Sequence, residues 1–392
     1  MQLPRRAIAS LLATVTLLPA AAQASTAEHT GTPARSAHRA AVSYSALQRW
    51  FAAQDGSGLY REQYPVETTD NAYSYEWPYS QAHVAALDLT AMKGVGHRYD
   101  AALAKRDAAQ LHYWHEAGST GLPGFASGAE PPYATGGDFF YDDNEWVGLQ
   151  DVQHYAFFHD GTSLQQAEQI FTLVRSGWDT DASHADPGGV FWTQAPWSTD
   201  RNTVSNMPAA ELGLRLFQLT GQREYLTWAL RMYRWTNTYL QRPDGLYWDH
   251  LDLQGNIEKT IWSYNQGVPV GVNVLLYHVT GQRKYLAEAK RVAAASYAYF
   301  VRGGRVDTQP PAFNAIYFKN LLLLESVTGA TAYRRAMAAY AQRMWTGHRD
   351  AATGLFHFAA GGDDHTQMIE QAAMVQIYAV LAWRPSDYRR LY

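Results

Sequence analysis

The chain is predicted to be all-α, an (α/α)6 barrel of six helical hairpins, and three observations lead there. After about residue 42, apolar residues recur at helical spacing nearly throughout, as in Leu226, Ala229, Leu230 and Tyr233 or Leu286, Ala289, Ala293 and Tyr297. A turn motif repeats: LTGQREYL (Leu219 to Leu226), VTGQRKYL (Val279 to Leu286) and VTGATAY (Val327 to Tyr333), with KGVGHRY (Lys93 to Tyr99) and FHDGTSL (Phe158 to Leu164) at equivalent joints. Each contains a glycine able to end a helix in the left-handed conformation. These short joints alternate with long loops, so tight turns gather on one face and long loops on the other. A fixed repeat of this kind signals stacked supersecondary units.

Twelve helices follow in order, at 43–53, 76–92, 97–114, 142–158, 163–177, 203–219, 222–240, 262–279, 283–300, 310–327, 330–345 and 366–383. The helix after each long loop belongs to an inner ring and its successor to an outer one. No convincing run of alternating β residues interrupts them. Residues 42–392 therefore form one domain.

Ahead of that domain, Arg5 and Arg6 precede a short apolar run from Ile8 to Ala20, and Ala22-Gln23-Ala24 forms a small-residue cleavage site. Residues 1–24 are expected to be a signal peptide, too short in its apolar part to span a membrane. Residues 25–41 are small, polar and patternless, and are expected to be a flexible linker. The product is then secreted or periplasmic. There is no cysteine, which excludes disulfides and thiolate chemistry. A net charge of -4 gives no basic field for nucleic acid. Aromatics reach 14%, with 13 Trp and 26 Tyr, which suits large packed helices and equally a cleft where rings stack on sugars.

The inner helices open on EWPYSQ (Glu76 to Gln81), YDDNEW (Tyr141 to Trp146), RNTVSN (Arg201 to Asn206), WSYNQG (Trp262 to Gly267), FNAIYFKN (Phe313 to Asn320) and DDHTQMIEQ (Asp363 to Gln371). Each mixes aromatics or apolar groups with amides, hydroxyls or carboxylates. The outer helices open blandly. Polar and aromatic groups thus converge on one mouth of the barrel, the default location for a binding site. Any one start is equally well an N-cap.

Asp142 and Asp143 stand out among these starts. A cap and the helix dipole call for one carboxylate, not two set between Phe139-Phe140-Tyr141 and Trp146. Paired carboxyls are the equipment of glycoside hydrolysis, one attacking or activating water and one protonating the leaving oxygen. Two near neighbours split their titration, since the second ionises against the first. Adjacent side chains at a helix start reach a separation of roughly 5–5.5 Å, which favours direct attack and retention.

YDDNEWVGLQ (Tyr141 to Gln150), GGVFWT (Gly188 to Thr193) with NTVSNMPAAELGLRLFQLTG (Asn202 to Gly221), and SYNQGVPVGVNVLLYHVTG (Ser263 to Gly281) together resemble glycoside hydrolase family 76, endo-acting α-1,6-mannanases, from about Tyr44 to the end. The resemblance implies an (α/α)6 fold, a retaining mechanism, Asp142 as nucleophile and Asp143 as general acid/base. It implies an α-mannan poly- or oligosaccharide as substrate, with no cofactor and no metal. Phe191 stands where the family more often has tryptophan, which touches fine substrate preference. Fungal relatives are wall transglycosidases with a lipid-anchor tail signal, and RPSDYRRLY is expected to carry none.

Trp77, Tyr141, Trp146, Trp262 and Tyr264 are candidate sugar platforms, with core packing the alternative. Asn202, Asn206, Asn265 and Gln266 are candidate ligands for sugar hydroxyls, with capping the alternative. Asp363-Asp364 is expected to be a loop or cap. HYWH (His112 to His115) lacks an associated carboxylate pattern and reads as interface or solvent-facing, not as a zinc site. Asp142, Asp143, Asn144, Glu145 has the wrong spacing for a metal-dependent terpene-type enzyme. A non-catalytic glycan-binding barrel, a mannan transglycosidase and another (α/α)6 carbohydrate enzyme remain alternatives. The mature protein is expected to act as a monomer, free of membranes and nucleic acid.

Overall fold

The computed structural model describes residues 33–358 and 365–392. The expected signal peptide and Asp363-Asp364 lie outside the described residues. Among the described residues the α-helices are α1 (Pro33–Phe51), α2 (Glu76–Thr90), α3 (Asp100–Gln110), α4 (Tyr141–Phe158), α5 (Gly161–Ser176), α6 (Thr203–Thr220), α7 (Arg223–Tyr239), α8 (Tyr264–Thr280), α9 (Arg283–Ser296), α10 (Pro311–Thr328), α11 (Ala332–Gly347) and α12 (Met368–Leu381). Helices α2, α4, α6, α8, α10 and α12 pack each against the next, and α12 against α2, which closes the inner ring. The outer helices α3, α5, α7, α9 and α11 each back the inner helix before them. This is the expected (α/α)6 barrel.

The two rings differ in burial as their roles require. In α8 every residue from Tyr264 to Leu276 is buried. In α7 burial is confined to Tyr225, Ala229, Met232, Tyr233, Trp235 and Thr236, a single stripe at three- and four-residue spacing.

The sixth hairpin is not local in sequence. It joins α12 to α1, whose Ser43 carbonyl accepts from the Gln371 amide. Here the structure corrects the later part of the linker assigned to residues 25–41, because residues 33–41 belong to helix α1, while residues 25–32 lie outside the described residues. Proline suits a first helical turn. Ser36, Ala40, Ser43, Tyr44, Leu47 and Phe51 then form the buried stripe. Its first members are small, so the segment looked patternless although its spacing is helical.

The joints behave largely as expected. Gly221, Gly281 and Gly329 are left-handed at φ 72°, 69° and 69°, and each donates its N–H to the carbonyl four residues back. At the FHDG joint the glycine was the wrong choice. His159 takes the left-handed position at φ 56°, and Gly161 opens α5 instead, with Asp160 capping through Thr162 N–H. A second difference is a set of short β pairs in the mouth loops. The largest has three strands, β1 (Asp200–Asn202), β2 (His250–Asp252) and β3 (Ile257–Glu258), paired antiparallel in that order.

Candidate active site

The long loops are tied to the inner helices by one repeated device. Asn144 accepts from Phe125 N–H (2.8 Å) and donates to the Phe125 and Phe140 carbonyls (2.9 and 2.8 Å). Asn206 does the same with Val190 (2.9 and 3.3 Å) and the Asn202 carbonyl (2.8 Å). Gln266 repeats it with Tyr247 (2.7 and 3.0 Å) and the Trp262 carbonyl (3.0 Å). Each amide pairs with one loop residue's N–H and C=O and with the carbonyl four residues before it at the helix start, tying loop to helix through backbone groups that are costly to bury unpaired. Asn206 and Gln266 are fully buried as they make these bonds. Their assignment as sugar ligands is therefore corrected, since their hydrogen-bonding capacity is spent on backbone.

One clamp, Asn206 on Val190, fixes the GGVFWT strand beside α4. Tyr141 N–H donates to the Trp192 carbonyl (2.8 Å), Gln194 N–H to the Phe139 carbonyl (2.9 Å), and Thr193 Oγ1 to the same carbonyl (2.7 Å). Alternation along the strand aims Trp192 at the aspartates. Its indole Nε1 donates to Asp142 Oδ2 at 3.2 Å. Asp142 is buried, and its Oδ1 has no partner among the described residues. Asp143, next on the helix, keeps partial exposure.

Further acids surround the pair. Burial pushes the Asp142 carboxyl up to about 7, the Trp192 donor opposes this, and Asp200 adds repulsion. Asp143 is held well above the usual carboxylate range, first by desolvation, then by Asp142, then by Glu76. Glu76, wholly buried, is pushed up to about 8 by burial, against the Gln110 amide. Glu145 is raised as well, by burial and by both aspartates. A low-polarity site holding several carboxyls keeps some of them protonated near neutrality, and the pair titrates as a unit.

Three expected platforms meet at one ring. Tyr264 lies over Phe313 with centroids 4.0 Å apart, Trp262 meets its edge at 5.5 Å, and Trp77 sits at 6.0 Å. Tyr264 also feels the charge of Asp142, so this group flanks the pair. Asn265 lies at the mouth too, donating to Asp249 Oδ1 at 2.9 Å. Asn202 is buried in β1, its Oδ1 without a partner among the described residues.

Two platforms are corrected. Trp146 is 1% exposed and packs toward Tyr392 inside the barrel. Tyr141 turns away from the mouth onto Gly177, where an added Cβ would lie 2.5 Å from its ring, and lines a crevice of about 370 Å³ behind the strand. That crevice contains neither aspartate.

Sequence reasoning did not name Trp192, Glu76, Asp200, Asp249 or Trp197 as site residues. Trp197 is 56% exposed, with its ring 6.0 Å from Trp192 and 6.1 Å from Phe140. GGVFWT was the available signal for Trp192. The histidines of HYWH pair separately, His112 with the Ser57 carbonyl and His115 with Glu130. Among the described residues, Asp249, His250 and Glu258 bring ligand-type atoms within 4.8 Å of one another. His250 already pairs with Asp249 at 3.0 Å, a contact that favours its charged form, so the group satisfies itself as an ion pair.

Comparison with known proteins agrees with this architecture. The model of glycosyl hydrolase family 76 matches residues 37–386. The family 76 mannosidase Bt3792 of Bacteroides thetaiotaomicron is 25% identical, with a TM-score of 0.77 over 88% of this chain and 98% of that one. An inactive variant of the alpha-1,6-mannanase GH76A of Salegentibacter sp. HEL1_6, in complex with alpha-1,6-mannotriose, is 18% identical, with a TM-score of 0.69 over 88% and 99%. The mannan endo-1,6-alpha-mannosidase DCW1 of Saccharomyces cerevisiae is 29% identical over 149 residues, 36% of this chain and 32% of the relative. The chain thus spans about a third of the length of the curated relatives it matches first. With the family match covering nearly the whole described barrel, the chain belongs to glycosyl hydrolase family 76.

Proposed function

We propose that this chain is a retaining glycoside hydrolase acting on α-1,6-linked mannan. The observation that carries the reading is the adjacent Asp142–Asp143 pair, the first buried and the second partly exposed, with Trp192 donating to the first carboxylate only. The indole favours the anion of Asp142, so it ionises before its neighbour. Burial and the Asp142 charge keep the proton on Asp143. Those states are the ones double displacement needs.

In the first step Asp142 attacks the anomeric carbon, the glycosidic C–O bond breaks, and Asp143 gives its proton to the leaving oxygen. In the second, Asp143 takes a proton from water, whose oxygen attacks the same carbon and displaces Asp142. The electrons of each broken bond leave with the departing oxygen. Trp77, Trp262 and Tyr264 around Phe313 offer rings to the sugar on one side, and exposed Trp197 on the other.

The substrate class follows from the relatives' names, mannan endo-1,6-alpha-mannosidases among them. One inactive relative carries two adjacent Asp→Asn replacements and binds alpha-1,6-mannotriose. Export is part of the reading, because residues 1–24 have the composition of a signal peptide. The test is release of oligosaccharides from linear α-1,6-mannan, set beside β-1,4-mannan and α-1,4-glucan. Cleavage of the first alone is expected, lost in Asp142→Asn and in Asp143→Asn. Wild-type rates in either variant, or no release from α-1,6-mannan, would sink the proposal.

A further inference from the structure

Glu76 opens α2 directly beneath the mouth and is the third carboxyl of the neighbourhood. It is fully buried, and its backbone N–H is tied to the Ser127 carbonyl (2.9 Å). Oε1 accepts from Gln110 Nε2 at 3.0 Å, while Oε2 is buried without a partner among the described residues. Gln110, the last residue of α3, cannot turn freely. Gln150 Nε2 donates to its Oε1 (3.0 Å), and His83 Nδ1 lies 2.6 Å from the same atom. His83 is anchored in turn by Asp107 at 2.7 Å, and the Asp107 side chain is 43% exposed on the outer ring. A hydrogen-bonded chain thus runs from Asp107 on the outer ring through His83 and Gln110 to the buried Glu76.

We propose that Glu76 is a positioning residue of the catalytic centre, held by Gln110 so that its carboxyl governs how firmly Asp143 keeps the proton it delivers to the leaving group. The roles of Asp142 and Asp143 in this statement rest on the function proposed above. The groups facing Glu76 are few. From α4 they are Asp142, Asp143 and Asp151. From the turn after α3 there is Tyr113. From α3 itself, Asp107 acts only through His83, and Arg106 lies over the Tyr60 and Tyr79 rings. Helix α12 approaches α2 through Gln376, which donates to the Gln81 carbonyl. None of these gives Glu76 a cationic partner. Gln110 supplies the donor that favours its anion, and desolvation opposes that anion, leaving the group balanced at about 8. As Glu76 ionises it repels the charge forming on Asp143, so Asp143 holds its proton to higher pH. This extends the working range of the acid upward.

The test is a carboxyl-carbon NMR titration of protein carrying ¹³C-labelled aspartate, with Asp143 assigned through Asp143→Asn. In Glu76→Gln the Asp143 titration is expected to move down by about one pH unit, the usual effect of losing one nearby like charge. In Gln110→Met the movement has the same sign and is smaller, because Glu76 then ionises later. An Asp143 titration unchanged in a folded Glu76→Gln overturns the inference. Should that variant not fold, an unchanged titration in Gln110→Met overturns it equally. Kinetics separate this from the function itself. The alkaline limb of kcat/KM on α-1,6-mannan should fall with the titration while KM holds. A moved titration in a protein that leaves α-1,6-mannan intact contradicts the assigned function and not the coupling.

Discussion

Replacing Trp192 by phenylalanine keeps the ring and deletes one atom's worth of chemistry, the Nε1–H that reaches Asp142 Oδ2 at 3.2 Å. The ring contacts with Phe140 and Trp197 need no indole nitrogen. A hydrogen bond to a charged acceptor contributes roughly 1.5–3 kcal/mol. At this length the lower end applies, which corresponds to about one pH unit on the carboxylate. The bond favours the anion, so its loss raises the Asp142 titration from about 7 toward about 8. The assay is kcat/KM on α-1,6-mannan across pH. Below the titration, where a nucleophile is mostly protonated, the variant should be about tenfold slower. Above it the two enzymes should converge, apart from a smaller loss of orientation. The acid limb therefore moves up by about one unit. An acid limb that stays in place, with activity reduced equally at all pH values, would refute the claim that Trp192 sets the ionisation of Asp142.

Two further outcomes follow from burial and bonding. Asp142 titrates in the fold at about 7 against an ordinary 3.8, so the native state binds the extra proton and loses stability as pH rises between those values. Asp142→Asn escapes that loss, and its Tm should exceed wild type by a few degrees at pH 8 and by little at pH 4, measured by calorimetry; a pH-independent difference would be contrary. Gln266→Ala strands Tyr247 N–H, its carbonyl and the Trp262 carbonyl. It should cost roughly 2–4 kcal/mol in urea unfolding. Its folded fraction should bind α-1,6-mannotriose as tightly as wild type, whereas a large loss of affinity would restore Gln266 as a sugar ligand.

The helices were legible because their signals are local. Period, cap glycines and loop length are read within some twenty residues, and α2 to α12 fall close to their expected spans. Helix α1 was cut short because Ser36 and Ala40 bury little apolar area, and what orders them is α12, at the other end of the sequence. The aspartate pair was legible as an oddity, since two adjacent acids among rings have few structural uses. Its surroundings were not. Trp192 meets Asp142 across 50 positions, and Gln110 meets Glu76 across 34. Asn206 and Gln266 misled for a different reason. An amide near a helix start has the same appearance in sequence whether it faces a cleft or clamps the loop before it. Only the neighbouring backbone decides.

The measurement that bears most directly on the central claim is proton NMR of the anomeric signals during early hydrolysis of linear α-1,6-mannan. If Asp142 attacks and Asp143 donates, the first reducing ends are α and the β-anomer appears only as they mutarotate. Initial release of the β-anomer would mean that water, not Asp142, makes the new bond, and would contradict the account.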